Sequence, residues 1–235
     1  MKPKILHIET SSNICSVSLS EGNKQIATKS IQQPNMHAKY APVFIKELLT
    51  DYISADELDA IAVSIGPGSY TGLRIGLSLA KGLAYASNKP IIAINTLAII
   101  CANLKRKISI DGTVIAAIDA RRDEVFAQLF DNQCAAISDL LNIKLSEQDF
   151  SQYLPNNKSI IVGSGAQKIQ NYFSDDNISF YPEIMPTADG MIDLALEKFN
   201  NAKFENLAYL EPVYMKPFIA IKPKNKVLGH LKRNK

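Results

Sequence analysis

Histidine is scarce in this chain, with three in 235 residues: His7, His37 and His230. A two-histidine metal site on a helix needs a second histidine at helical spacing. In His37-Ala38-Lys39-Tyr40-Ala41 that place holds alanine, so no metal site is expected. His7 alternates into a strand and His230 lies in a basic tail, which leaves His37 alone for any Ser-His-Asp triad. No Gly-x-Ser-x-Gly elbow accompanies it, since Gly163-Ser164-Gly165 is too short. Cysteine is equally scarce. Cys15, Cys101 and Cys134 follow no framework spacing, which points to reduced thiols and a cytoplasmic location. There is no run of about 18 apolar residues, so no membrane span is expected. Glu9 interrupts any signal-like stretch at the start. Tryptophan is absent, which excludes nothing. A large excess of one charge is missing too: net charge is +3, too small for the whole chain to be read as a nucleic-acid binder. The imbalance is local, with Lys216, Lys222, Lys224, Lys226, Lys232, Arg233 and Lys235 unmatched by any acid from 216 to 235.

What is present is an ordinary globular composition, 46% hydrophobic and 21% charged, organised around one glycine-rich stretch. Gly66-Pro67-Gly68-Ser69-Tyr70-Thr71-Gly72-Leu73-Arg74 follows an apolar, β-branched run at 59–65 and opens a helix to about Ser87. Such glycine density requires a sharp turn or a close approach. Neither nucleotide fingerprint is met. Gly72 is followed by Leu73 and Arg74 where a Walker loop needs Lys and Ser/Thr, and the spacing misses G-x-G-x-x-G. Backbone amides at the helix start, with Arg74 nearby, leave a weak anion signal. Along the helix Gly72, Gly76, Ala80 and Ala84 recur every four residues and form a face almost without side-chain bulk. Leu73, Leu77 and Leu83 flank it on one side, and Ile75, Leu79 and Ala86 on the other. Two readings stand: a helix buried in its own domain, or one packed on its sheet and also on a partner chain.

In order, 3–10, 14–20 and 25–31 read as strands and 37–52 as a helix, with Tyr40, Phe44, Leu48 and Tyr52 four apart. Residues 54–57 form a capping box. After the glycine helix come a strand at 90–95 and a helix capped by Thr96 to about Arg106. The order then begins again. Residues 114–119 are an apolar strand ending in Asp119, as 5–9 ends in Glu9. Ala120-Arg121-Arg122-Asp123 turns into a returning strand at 124–131, and 134–144 supplies a third. A helical stretch at 146–153, a strand at 159–163 and helices near 167–173 and 188–200 follow. The fold class expected is α/β with duplicated β-β-β-α-β-α halves, the second reduced: 1–106, 107–215 and a basic tail at 216–235.

Two halves that each begin strand–acid–turn–strand resemble the sugar-kinase/heat-shock-protein/actin superfamily, whose two turns embrace nucleotide phosphates. Glycine is wanted two residues after each acid so that backbone amides reach the phosphates. Here Ser11 and Arg121 stand there, and the first acid is Glu9 rather than Asp. The cleft is therefore expected to persist as shape without its ATP chemistry, and no cofactor is expected.

The residues resemble one family closely. Ile5-Leu6-His7-Ile8-Glu9-Thr10-Ser11, His37, Gly66 to Gly76, Asp119-Ala120-Arg121-Arg122-Asp123-Glu124-Val125 and Leu210-Glu211-Pro212-Val213-Tyr214-Met215 are similar to the motifs of the bacterial TsaB (YeaZ) family. Tyr70 stands where the family often has Phe. The resemblance implies a non-catalytic subunit of the machinery that makes threonylcarbamoyladenosine beside the anticodon of tRNA. It implies pairing, through helices of the first half, with the catalytic homologue TsaD or with a second copy. TsaE, an ATPase, would dock near that junction, TsaC would supply the activated threonylcarbamoyl group, and tRNA would be met through the complex. Gly72, Leu73, Ile75, Gly76, Leu79, Ala80 and Leu83, with Tyr40, Phe44 and Leu48, are the residues expected at or beside the partner interface. Two rivals stand beside this reading: a residual ATPase or acyltransferase on Glu9 and Asp119, and tRNA contact by the basic tail. The glycoprotease label given to some members finds no nucleophile–histidine pair here.

Overall fold

The computed structural model describes residues 2–147, 149–154, 158–173 and 175–216, so all of the basic tail but Lys216 lies outside the described residues. The first sheet holds β1 (Lys4–Glu9), β2 (Ile14–Glu21), β3 (Lys24–Gln32), β4 (Ala60–Gly66) and β5 (Ile91–Asn95), in the order β3-β2-β1-β4-β5. β1 pairs antiparallel with β2 and parallel with β4, so a hairpin and a crossover meet at the central strand. The helices of this half are α1 (His37–Asp51), α2 (Tyr70–Ser87) and α3 (Thr96–Lys105). The second sheet holds β6 (Thr113–Asp119), β7 (Glu124–Phe130), β8 (Leu141–Lys144), β9 (Ser159–Val162) and β10 (Ile178–Tyr181), in the order β10-β9-β6-β7-β8. That is the first order repeated strand for strand. The duplication is real, and the second half is reduced in strands and helices alike: β8 and β9 have 4 residues each where β3 has 9 and β4 has 7, and α4 (Ala166–Tyr172) has 7 where α2 has 18. The sequence reading missed β10, whose four residues ISFY are too short to show a period.

Packing ties the halves together. α1 and α2 cover one face of the first sheet, burying Leu48, Leu77, Ala80 and Ala84 against Leu6, Ile8, Leu19 and Val63. On the other face, Ile5, Ala62, Ile92 and Ile94 meet Ile99 of α3 and Ala195 of α5 (Ile192–Asn200). α3 also buries Leu97, Ile100, Cys101 and Leu104 against Val114, Ala116 and Phe130 of the second sheet. The middle layer therefore serves both sheets, and α5, late in the chain, packs on the first. Among the described residues of 146–153 the helical element is a short 3₁₀ turn at Phe150–Tyr153, not the longer helix expected. α3 is capped by Asn95, whose Oδ1 accepts from Leu97 N at 2.7 Å, rather than by Thr96, which is buried as the first helical residue. At 54–57 the capping box holds: the Glu57 carboxylate accepts from Ser54 N at 3.1 Å.

Candidate functional site

The glycine loop leaves β4 through Gly66, at φ +117°, and a cis Gly66–Pro67 bond. It then lies down on the turn after β1. Ser69 N donates to Ser11 O at 2.7 Å, and a Cβ on Gly68 would fall 2.5 Å from the same oxygen. The next turn is as close. Cβ atoms on Gly72 and Gly76 would lie 2.1 Å from Thr10 O and 2.1 Å from Thr10 Oγ1, while Thr10 Oγ1 donates to Gly72 O at 2.8 Å. Ser69 Oγ caps α2 by accepting from Gly72 N at 3.2 Å. Glycine is required here because the chain's own hairpin occupies the space. Two helix-start amides are thus spent on Ser11 and Ser69, which removes much of the weak anion signal.

This corrects the interface expectation. Gly72, Leu73, Gly76 and Ala80 are buried on α2 against Thr10 and the sheet, and Leu48 is buried on α1. They are core. The small-residue face is the inward face of α2, and its partner is intramolecular. What α2 leaves open is the opposite side: Thr71, Arg74, Ser78, Gly82 and Tyr85 are exposed, with Ile75, Leu79 and Leu83 half-buried between them. Tyr40 and Phe44 of α1 are half-buried, their rings 5.6 Å apart. A shallow depression of about 490 Å³ runs between the helices, lined by Ala38, Tyr70, Thr71, Arg74, Ile75 and Leu79.

The two acids end equivalent strands and close equivalent turns. Glu9 Oε1 accepts from Ser11 N at 2.5 Å, and Asp119 Oδ1 accepts from Arg121 N at 2.7 Å. Their surroundings differ. Glu9 is fully buried, its second oxygen has no partner among the described residues, and burial drives its carboxyl above the ordinary range against the lowering effect of Ser11 and Ser64. Asp119 is partly exposed and ion-paired with Lys168 of α4. Arg121 and Arg122 are both exposed and left-handed, at φ +67° and +51°. The place where the superfamily wants glycine thus keeps a glycine-like backbone under an arginine side chain. Gly163-Ser164-Gly165 docks on β6: Gly165 N donates to Ala117 O at 3.0 Å, and a Cβ on Gly163 would lie 2.5 Å from that oxygen. Ser164 Oγ accepts from Asp119 N at 3.2 Å. Both glycine loops thus serve their own strands.

His37 is buried at the start of α1, and His7 is a core residue with Nε2 2.9 Å from Ser20 Oγ, burial pulling its pKa down to about 3. No cluster of three or more His, Cys, Asp or Glu able to hold a metal occurs among the described residues. No helix among them is long and apolar enough to cross a membrane.

Sequence reasoning did not find a strap formed by the closing motif. Val213 N donates to Ile65 O at 2.7 Å, and the Tyr214 hydroxyl accepts from Arg74 Nε at 2.9 Å. The Arg74 guanidinium lies 4.0 Å from the centre of the Tyr70 ring, and the Tyr70 and Tyr214 rings are 5.0 Å apart. Lys216 then bonds Glu124 at 2.6 Å and Ala120 O at 3.2 Å in the second half. Lys216 belongs to this strap rather than to the tail. Val213, Tyr214 and Lys216 therefore tie the end of β4 and the start of α2 to the β6–β7 hairpin.

Comparison with known proteins fits this architecture. Residues 30–230 match the family model described as TsaD: tRNA N6-adenosine threonylcarbamoyltransferase. The chain is 28% identical over 229 residues to the tRNA threonylcarbamoyladenosine biosynthesis protein TsaB of Escherichia coli, covering 93% of this chain and 97% of that one. It is 30% identical over 175 residues to the protein of that name from Buchnera aphidicola subsp. Schizaphis graminum, covering 72% and 82%. Among solved structures, YeaZ from Pseudomonas aeruginosa superposes with a TM-score of 0.81 at 24% identity, over 91% of this chain and all of that one.

Proposed function

Since this chain belongs to the TsaB family of tRNA threonylcarbamoyladenosine biosynthesis proteins and itself matches the TsaD family model over residues 30–230, we propose that it is the non-catalytic subunit of that pathway. It binds and stabilises a TsaD homologue, which transfers the threonylcarbamoyl group to the adenosine beside the anticodon. The observation that carries this reading is the open side of α2. Ile75, Leu79 and Leu83 form a half-buried apolar stripe along α2, with exposed Gly82 and Tyr85 to one side and Tyr40 and Phe44 on the neighbouring α1, and no described residue fills the depression lined by Ala38, Tyr70, Ile75 and Leu79. A helix pair packed on its own sheet, with α2 held close by Thr10 and a half-buried apolar stripe left among small and polar residues on its outer side, is suited to pack on another helix pair.

The cleft supports a non-catalytic role by what its groups are already doing. Glu9 is buried and bonded to its own turn, Asp119 is held by Lys168 and Arg121 N, and the glycine loops are closed on Ser11 and Ala117. TsaE docking near the junction, self-pairing in the absence of TsaD, tRNA contact through the complex and a cytoplasmic location belong to the same reading. Size-exclusion chromatography with light scattering, on the chain alone and mixed with its TsaD homologue, tests it. A new 1:1 species is expected. A mixture that elutes as its two separate components overturns the reading.

A further inference from the structure

Cys101 and Cys134 are far apart in sequence and come together at one point: Cys101 Sγ lies 2.7 Å from Cys134 Sγ. That is well inside van der Waals contact for two sulfurs and short of the roughly 2.05 Å of a covalent bond. Both ends are held. Cys101 sits in the middle of α3, fully buried between the helix and the second sheet. Cys134 lies in the turn after β7, half-buried, at φ +65°. Asp131 fixes that turn, its Oδ1 accepting from Gln133 N at 2.8 Å and Ala135 N at 2.9 Å, and its carbonyl from Cys134 N at 3.1 Å. Lys105, one helical turn beyond Cys101, donates to Gln133 Oε1 at 2.9 Å and so pins the turn to the same helix. The approach of the two sulfurs is built into the fold.

We propose that Cys101 and Cys134 are an oxidative-modification site, a dithiol that a low-molecular-weight disulfide such as oxidised glutathione closes into a bond between α3 and the β7 turn. The half-exposed sulfur acts first. The Cys134 thiolate attacks one sulfur of the disulfide, forming a mixed disulfide and releasing one glutathione thiolate. Cys101 then gives up its proton, attacks Cys134 Sγ and expels the second glutathione thiolate. Two protein thiols are oxidised, one glutathione disulfide is reduced, and the two protons end on the released thiols. The order follows from the surroundings. The hydrogen bond from Cys101 holds the Cys134 thiol below the ordinary range with help from Lys105, while the same bond and burial raise Cys101. Cys15 is the internal control: it is buried in β2, away from the pair, and burial pushes it up to about 11.

The test uses the folded full-length chain, treated with oxidised glutathione at neutral pH and freed of excess reagent. Thiol titration in denaturant is expected to fall from three thiols to one, with intact mass lower by two hydrogens and a non-reducing peptide map joining the Cys101 and Cys134 peptides. A C15S chain is expected to lose both remaining thiols, and a C134S chain to form no internal cross-link. Closing a loop of this length is expected to raise Tm by roughly 5–15 °C, reversed by dithiothreitol. Three persisting thiols, a stable glutathione adduct on Cys134, or a cross-link that includes Cys15 would each overturn the proposal.

Discussion

Glu9 and Asp119 make the same bond in opposite electrostatic settings. Each is the last residue of the central strand of its sheet, and each accepts the amide proton two residues on, at 2.5 Å for Glu9 and 2.7 Å for Asp119. Glu9 does so in full burial with no ion pair among the described residues, Asp119 at the surface beside Lys168. The acids that open the nucleotide cleft in the wider superfamily are here parts of turns. That equivalence, more than any missing motif, is the basis for reading the cleft as structural.

Glu9 and His7 set a pH profile. A carboxyl raised by burial binds its proton more tightly in the folded chain, so its stabilising contribution is complete below the unfolded value of 4.5 and is lost as pH rises through the higher folded value. Glu9→Gln is expected to flatten that decline, measured as Tm between pH 4 and 8. A wild-type-minus-variant difference that does not change with pH would refute this. His7 acts on the other side. Its depressed folded pKa of about 3 costs stability as pH falls below 6.5, by a few kcal/mol near pH 3.

Three glycines on α2 are expected to rank sharply. Gly72→Ala drives a Cβ to 2.1 Å from backbone Thr10 O and is expected to cost about 3 kcal/mol. Gly76→Ala meets the Thr10 side chain, which can turn at the loss of its bond to Gly72 O, and should cost about 1–2 kcal/mol. A Cβ on Gly82 would meet nothing within 4 Å, so Gly82→Ala should stabilise by about 0.5–1 kcal/mol. Urea denaturation of the three variants decides the order. Gly76→Leu, by the same geometry, is expected to weaken partner binding by unfolding the chain.

Partner binding is better probed from the open side of α2. Tyr85→Glu, at a residue 82% exposed, and Ile75→Glu, lining the depression, are expected to reduce affinity for the TsaD homologue about 10- to 100-fold. Tm should stay within a few degrees of wild type. Calorimetric titration reading unchanged affinity for both variants would move the interface elsewhere.

Arg121→Gly is expected to stabilise. An arginine at φ +67° carries a backbone cost of about 1 kcal/mol that glycine does not, set against glycine's freer unfolded chain. A net gain of a few tenths of a kcal/mol in urea midpoint is the outcome expected. A loss above about 1 kcal/mol would show that the Arg121 side chain is needed for the fold.

Much was legible in the sequence because it is local. The alternation in β1 and β2, the apolar run of β4, the glycine-to-proline limits of α2 and the repeat of strand, acid and turn are set by neighbours in the chain. Short-range sterics and periodicity suffice for them. The inside and the outside of α2 were not legible in this way. A stripe of Gly72, Gly76 and Ala80 says only that something approaches closely, and it was Thr10, 62 residues from Gly72, that turned out to do so. The strap from Tyr214 to Arg74 spans 140 residues, and the Cys101–Cys134 contact joins positions with no spacing rule between them. Sequence fixes which surfaces are small, apolar or charged. Which surfaces meet depends on how two sheets and their shared middle layer bring distant segments into contact, and only the tertiary structure decided that.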